Sequence, residues 1–223
     1  MEPILELQNV SKIYAQSEIQ TVGIQNLSLK VYPGDFIAIT GRSGCGKSTL
    51  LNILGGMDEL TSGTYYFDGE DVSHLTHTRA AQFRCKQVGY VFQSFNLLNE
   101  ISALQNVCMP LGYAGMGKHQ REEIGHQMLR LVNLESKAGK RPIHLSGGEQ
   151  QRVAIARAMA SAPKVLLADE PTGNLDEENS LAIMELFSKF NKDGMTILMV
   201  THSSEIANWA DKQILMKDGR ILD

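Results

Sequence analysis

The sequence predicts an α/β fold, with a parallel β-sheet core, an antiparallel β element near the N-terminus and a helical block inserted into the core. Three observations carry this expectation. Phe36–Thr40, Val88–Phe92, Val165–Ala168, Thr196–Val200 and Ile214–Met216 are short, nearly continuous apolar runs, as expected of strands buried on both faces of a parallel sheet. Ile4–Leu7 and Leu27–Val31 alternate apolar and polar residues like half-exposed antiparallel strands, and Tyr65–Phe67, followed by Asp68-Gly69, reads as a third piece of that sheet ending in a turn. From Ser94 to about Ser161 the texture turns helical, and within 118–132 Ile124, Met128, Leu131 and Val132 recur on one face at helical spacing, as core packing requires. The chain is expected to form a single domain over 1–223, with 1–93 and about 162–223 as the core and about 94–161 as the helical insertion.

Bulk properties narrow the function. A chain of 223 residues, 43% apolar and 21% charged, is that of an ordinary globular protein. A formal charge of -4 argues against nucleic-acid binding through bulk electrostatics. Cys45, Cys85 and Cys108 lack metal-ligand spacing and read as free thiols of a reducing compartment. No apolar run approaches the roughly 20 residues of a spanning helix, and MEPILELQNV lacks the order of a signal peptide. A cytoplasmic protein is expected, with any membrane part supplied by another chain.

The residues Gly41-Arg-Ser43-Gly44-Cys45-Gly46-Lys47-Ser48 fit the phosphate-loop pattern G-x-x-x-x-G-K-S/T, and Thr49 follows. The loop sits after the run Phe36–Thr40 and before the apolar helix Leu50–Leu54. Its glycines let the backbone curl so that successive N–H groups point at phosphate oxygens, and the helix opening near Lys47 adds its positive dipole end. Lys47 reaches the β- and γ-phosphates, and the Ser48 hydroxyl is placed for Mg²⁺. Such a loop needs a second carboxylate at the end of another buried strand. In Val165–Ala168-Asp169-Glu170, Asp169 is placed to hold the hydrated Mg²⁺ and Glu170 to polarise the attacking water as general base. The thiol of Cys45 predicts sensitivity to alkylation.

Leu145-Ser146-Gly147-Gly148-Glu149-Gln-Gln-Arg152 is more discriminating. Ser146 and Glu149 have the spacing of a capping box opening a helix through Val153–Ala160. A cap alone does not account for two glycines in the first turn, each costing about 1 kcal/mol relative to alanine. Exposed N–H groups there, with the Ser146 hydroxyl, make a second phosphate-ready helix terminus in one chain. Two facing copies can use both termini on one nucleotide more readily than a single copy can.

On these motifs the chain resembles the ATP-binding cassette (ABC) ATPases along essentially its whole length, which implies a P-loop NTPase fold with a RecA-like parallel sheet, an antiparallel β subdomain and a helical signature subdomain. The resemblance implies further roles. Gln93 matches the glutamine that contacts Mg²⁺ or water, and Asn174-Leu175-Asp176 matches the loop meeting the opposite subunit near its phosphate site. His202 matches the γ-phosphate histidine and Tyr14 the aromatic that stacks on adenine. The implied cofactors are ATP and Mg²⁺. The implied partners are a second copy, in a dimer sandwiching ATP between Lys47, Ser48 and Asp169 of one subunit and Ser146 and Gly148 of the other, and a separate transmembrane permease. The implied location is cytoplasmic, peripheral on the inner face of the membrane.

Val91–Leu98, Ala168–Asp176 and the Gln-Gln-Arg ending of the signature resemble the branch serving lipoprotein release, macrolide efflux, antimicrobial-peptide resistance and cell division. An export or force-transmitting system is expected, with the ATPase of a non-transport complex, such as cell division or wall-hydrolase activation, as the alternative. Asn99 and Gln105 depart from that branch, where proline and glutamate are usual. Phe95, Leu97 and Leu98 read either as helical core or as a groove for the partner's helix. The chain stops at Asp223, which leaves no room for the regulatory domain of sugar and metal importers. Sustained heptads, expected of DNA-repair members, are absent, and a small-molecule kinase needs neither the signature nor His202.

Overall fold

The computed structural model describes residues 2–16 and 19–222. Two sheets organise it. The larger has six strands in the order β10-β9-β3-β8-β7-β6, formed by β3 (Phe36–Thr40), β6 (Val88–Val91), β7 (Val165–Asp169), β8 (Thr196–Val200), β9 (Lys212–Lys217) and β10 (Arg220–Leu222). All its neighbours pair parallel except β9 with β10, which form an antiparallel hairpin. The smaller sheet is antiparallel, ordered β2-β1-β4-β5 from β1 (Leu5–Gln16), β2 (Ile19–Val31), β4 (Ser62–Phe67) and β5 (Glu70–Asp71).

Strand alternation distributes the large sheet's side chains between two cores. Phe36, Ala38, Leu166, Ala168, Ile197 and Met199 lie in one cluster with residues of α3 (Ala103–Tyr113), α4 (Lys118–Leu131), α5 (Gly147–Met159) and α6 (Glu177–Lys192). Ile37, Ile39, Val165, Leu167, Leu198 and Val200 lie in the other, with α1 (Lys47–Leu54) and the antiparallel sheet. Burial on both faces makes β3, β7 and β8 continuously apolar. β9 differs. It is parallel to β3, yet of its six residues only Met216 is buried, so the expected two-sided burial of Ile214–Met216 does not hold.

β1 and β2 extend well beyond the alternating runs read from sequence. Their pairing shifts register between Leu7 and Val10, Val10 and Lys12, and Lys12 and Ile13, and Asn9 and Asn26 take left-handed backbone angles. These bulges scramble the period-two pattern that marks a strand. Asp68 and Gly69 form the expected turn between β4 and β5, both at positive φ. α2 (His77–Lys86) has only Phe83 buried, too little apolar periodicity to announce a helix. Within 94–161, helix begins only at Ala103, and in α4 Gly125 and Leu129 are buried more deeply than Ile124, Met128 and Leu131, although Val132 is buried as expected. Among the described residues no helix is long and apolar enough to cross a membrane.

Phe187 on α6 is fully buried in the cluster beneath the sheet. Phe187→Ala is expected to cost about 3–5 kcal/mol, measured as a shift of the denaturant midpoint with the m-value unchanged.

Candidate functional site

The expected site residues leave the sheet at one edge. β3 runs into Gly41–Thr49, β8 into Thr201 and His202, β7 ends on Asp169 followed by Glu170, and β6 leads through Phe92 to Gln93. These strands are neighbours in the order β3, β8, β7, β6, so their C-terminal ends lie along one edge of the sheet.

The phosphate loop is braced from below. Gly46 has φ 104, and a Cβ there would stand 2.2 Å from Gly23 O, so only glycine lets the loop close on β2. The Cys45 carbonyl accepts from Gly219 N at 2.9 Å and the Gly219 carbonyl accepts from Gln25 N at 2.9 Å, which ties the loop to the β9–β10 turn. Gly46 also serves as N-cap of α1 without any side-chain cap, leaving the first-turn N–H groups of Lys47, Ser48 and Thr49 free for an anion. Lys47 is buried and turned back on the loop, its Nζ donating to Gly41 O at 2.8 Å and Arg42 O at 3.0 Å. Ser43 and Gly44 are exposed, whereas the Cys45 thiol is buried 3.9 Å from Lys47 Nζ. Burial shields that thiol from the alkylation its sequence position suggests.

Ser48 Oγ lies 3.5 Å from Asp169 Oδ1. Burial raises the Asp169 carboxyl above the ordinary carboxylate range, the Ser48 hydrogen bond opposes this, and the Glu170 charge adds to it. Glu170 takes the left-handed conformation, φ 44, which costs a non-glycine residue about 1–3 kcal/mol. It is held there by its N–H donating to Val200 O at 3.0 Å and its carbonyl accepting from Gly173 N at 3.0 Å. Its Oε2 lies 2.9 Å from His202 Nδ1, a hydrogen bond that needs the proton on Nδ1. A Cβ on Gly173 would stand 2.8 Å from Gln93 Nε2 and 3.3 Å from Glu170 Oε2, so both side chains lie against that glycine. Among the described residues no cluster of three or more His, Cys, Asp or Glu side chains forms a metal cage.

Tyr14 stands beside the loop, 40% exposed, its hydroxyl donating to Asp58 Oδ2 at 2.7 Å and contacting Thr49 Oγ1 at 3.5 Å. Lys12 Nζ sits 5.0 Å from its ring centroid and also pairs with Asp58. The sequence gives no hint of Asp58, because Lys12, Tyr14 and Asp58 meet only through the fold.

The second helix terminus is built differently. Ser146 Oγ accepts from Glu149 N at 3.3 Å and Glu149 Oε2 accepts from Ser146 N at 3.0 Å, a complete capping box, which Lys137 backs with an ion pair to Glu149. The two glycines have distinct reasons. Gly147 has room for a Cβ at 3.6 Å from Leu175, whereas a Cβ on Gly148 would fall 1.9 Å from Asn179 Oδ1. Gly148 therefore has a packing role that the motif alone does not reveal. Asp176 is the N-cap of α6, accepting from Asn179 N at 2.8 Å, and this backbone hydrogen bond holds its carboxyl below the usual range. Asn174 donates to Gln93 O at 3.0 Å, so the Asn174–Asp176 segment touches both Gln93 and the signature turn. Gln105, one of the departures, accepts from Ser102 N in the box capping α3, as a glutamate there does. Leu97 packs on the core, whereas Leu98 is 49% exposed.

Gly46→Ala is expected to distort the loop because its Cβ meets backbone rather than a movable side chain. Titration with a fluorescent ATP analogue should show affinity lowered about ten-fold or more, on the scale of 1–3 kcal/mol for such strain.

Comparison with known proteins identifies the family. Residues 24–173 match the family model described as ABC transporter. An ABC transporter ATP-binding protein of Methanocaldococcus jannaschii is 43% identical over 220 residues, covering 99% of this chain and 98% of that protein. The macrolide export ATP-binding/permease protein MacB of Syntrophobacter fumaroxidans is 47% identical over 222 residues, and this chain spans 31% of its length. Among solved structures, the dimeric post-hydrolysis state of the cassette MJ0796 bound to ADP and Pi superposes with a TM-score of 0.91 at 39% identity, covering 98% of this chain and 97% of that one. With a family match spanning 24–173 and a relative 43% identical along nearly its full length, the chain belongs to the ABC transporter ATP-binding family.

Proposed function

We propose that this chain is the ATP-hydrolysing subunit of an ABC transporter, and that two copies close on ATP to drive a separate membrane permease. The observation that carries the reading is the convergence of a free helix N-terminus, Ser48 beside Asp169, and Glu170 bonded to His202 at one edge of the sheet. Similarity to dimeric cassettes and to macrolide export proteins supports the partners and the export class. The whole of 1–223 acts as one domain, with 94–161 as the helical signature segment and the rest as nucleotide-binding core. The chain works in the cytoplasm, at the inner face of the membrane that holds the permease.

In this mechanism the loop N–H groups from Gly41 through Thr49 hold the phosphates, and Lys47 leaves Gly41 O and Arg42 O to meet them. Tyr14 contacts the adenine. Ser48, Asp169 and Gln93 would hold Mg²⁺, and hard oxygen donors 3.5 Å apart beside a phosphate site fit that ion, which prefers few protein ligands plus phosphate and water. An ion held by these residues would supply charge neutralisation at the phosphates. Glu170 accepts the proton of the attacking water. His202 fixes the Glu170 carboxylate through Nδ1 and presents its other edge to the γ-phosphate. Ser146, Gly147 and Gly148 of the second copy cover the phosphates from the opposite side, with Asp176 near that junction.

Glu170→Gln removes the proton acceptor while keeping shape. It is expected to lower kcat by about 10²-fold or more, to leave ATP affinity intact and to accumulate an ATP-dependent dimer in sedimentation analysis. Turnover at the unmodified rate would remove Glu170 from its role. EDTA is expected to stop hydrolysis and excess Mg²⁺ to restore it; hydrolysis that persists in EDTA would contradict the Ser48–Asp169 assignment.

A further inference from the structure

Gln151 lies in the first two turns of α5, fully buried, in a position that the capping box does not explain. Its Nε2 donates to Pro171 O at 2.6 Å and reaches Phe92 O at 3.4 Å. Phe92 immediately precedes Gln93, and Pro171 immediately follows Glu170. One amide thus ties together the backbones on which the two side chains rest. The orientation is fixed by chemistry, since reversing the amide would set Oε1 against two carbonyl acceptors. As placed, Oε1 is buried with no hydrogen-bond partner.

The neighbourhood shows what needs holding. Glu170 stands in a left-handed conformation that persists only where its surroundings over-determine it. Val200 O fixes its N–H, Gly173 N fixes its carbonyl, and Gln151 fixes the next carbonyl along. The segment after Gln93 is strained in the same sense, with Phe95 at φ 60 and Asn96 at φ 50, and Arg157 of α5 donates to the carbonyls of both. Gln151 is the one side chain of α5 whose hydrogen bonds span both segments.

We propose that Gln151 is a positioning residue, which sets the distance between Gln93 and Glu170 by clamping the carbonyls of Phe92 and Pro171 with one amide. This rests on the proposed roles of Gln93 and Glu170. Because the clamp belongs to the helix that opens at Ser146, a displacement of the signature turn is passed to the base and to the glutamine of the same subunit.

The test replaces Gln151 by methionine, which keeps length and volume but removes both the donor and the orphaned acceptor, and in parallel by leucine. Pro171 O loses its Gln151 hydrogen bond in Gln151→Met, so that protein is expected to fold with a melting temperature at or modestly below that of the unmodified one. Loss of the clamp predicts kcat lowered about ten-fold or more, the scale of misplaced catalytic groups, with KM for ATP unchanged. In a double-mutant cycle with Gln93→Ala the combined loss should be less than the sum of the two, because Gln151 acts in part through Gln93. Unchanged kcat in the folded Gln151→Met or Gln151→Leu protein would overturn the proposal, as would additive losses in the cycle. A lowered melting temperature with full kcat per folded molecule would assign Gln151 to stability alone and overturn it equally. If the underlying reading fails instead, the unmodified protein itself hydrolyses no ATP, an outcome distinct from any of these.

Discussion

The register of four parallel strands governs the chemistry of this molecule. Val200 pairs with Ile39 on one side and Asp169 on the other, and Ala168 pairs with Val91. The strands therefore run out together, and the phosphate loop, His202, the Asp169–Glu170 pair and Gln93 emerge at one level. Side chains alternate faces along a strand, so a slip of one residue in β7 would drive Asp169 into a core and bring Ala168 to the edge. The apolar residues that lock this register are the same ones that build the two cores. Stability and catalysis thus share one set of packing decisions.

Upon that frame the chain sets two helix termini of opposite character. α1 opens on Gly46 with no side-chain cap, so its donors await a ligand. α5 opens on Ser146 with a full capping box, a buried Gly148 against Asn179 and an ion pair from Lys137, so its geometry is fixed before any ligand arrives. Ser146 already satisfies Glu149, and its hydroxyl is exposed. One terminus is left open to an anion, and the other is a capped and exposed turn. Between them, the Asn174–Asp176 segment bonds to Gln93 at one end and caps α6 at the other, which places the exposed turn in mechanical contact with the catalytic edge.

Much of this was legible from residue order, and the parts that were not share a cause. β3, β7 and β8 announce themselves because burial on both faces leaves no polar position to dilute the pattern. The phosphate loop and the acidic pair sit on those strands, so their placement follows directly. β1 and β2 were only partly legible because bulges near Asn9 and Lys12 break alternation, and α2 buries too little to be periodic. The contacts of Gly23, Asp58, Asn179 and Gln151 were not legible for another reason: each matters through a partner distant in sequence, as Gly23 does to Gly46 and Gln151 to both Phe92 and Pro171. The isolated Gly23 within a strand was the one available signal, since such a glycine often marks close backbone approach.

In the proposed mechanism each nucleotide site is divided between two copies of the chain. Mixing two inactive variants tests it most directly. Lys47→Ala disables the phosphate loop and Ser146→Arg disables the signature, so a mixed dimer contains one site with both lesions and one with neither. ATP hydrolysis, negligible for either variant alone, is expected to appear when the two are combined and to peak near equal proportions. A mixture as inactive as its components, or full activity for Ser146→Arg by itself, would contradict a shared site.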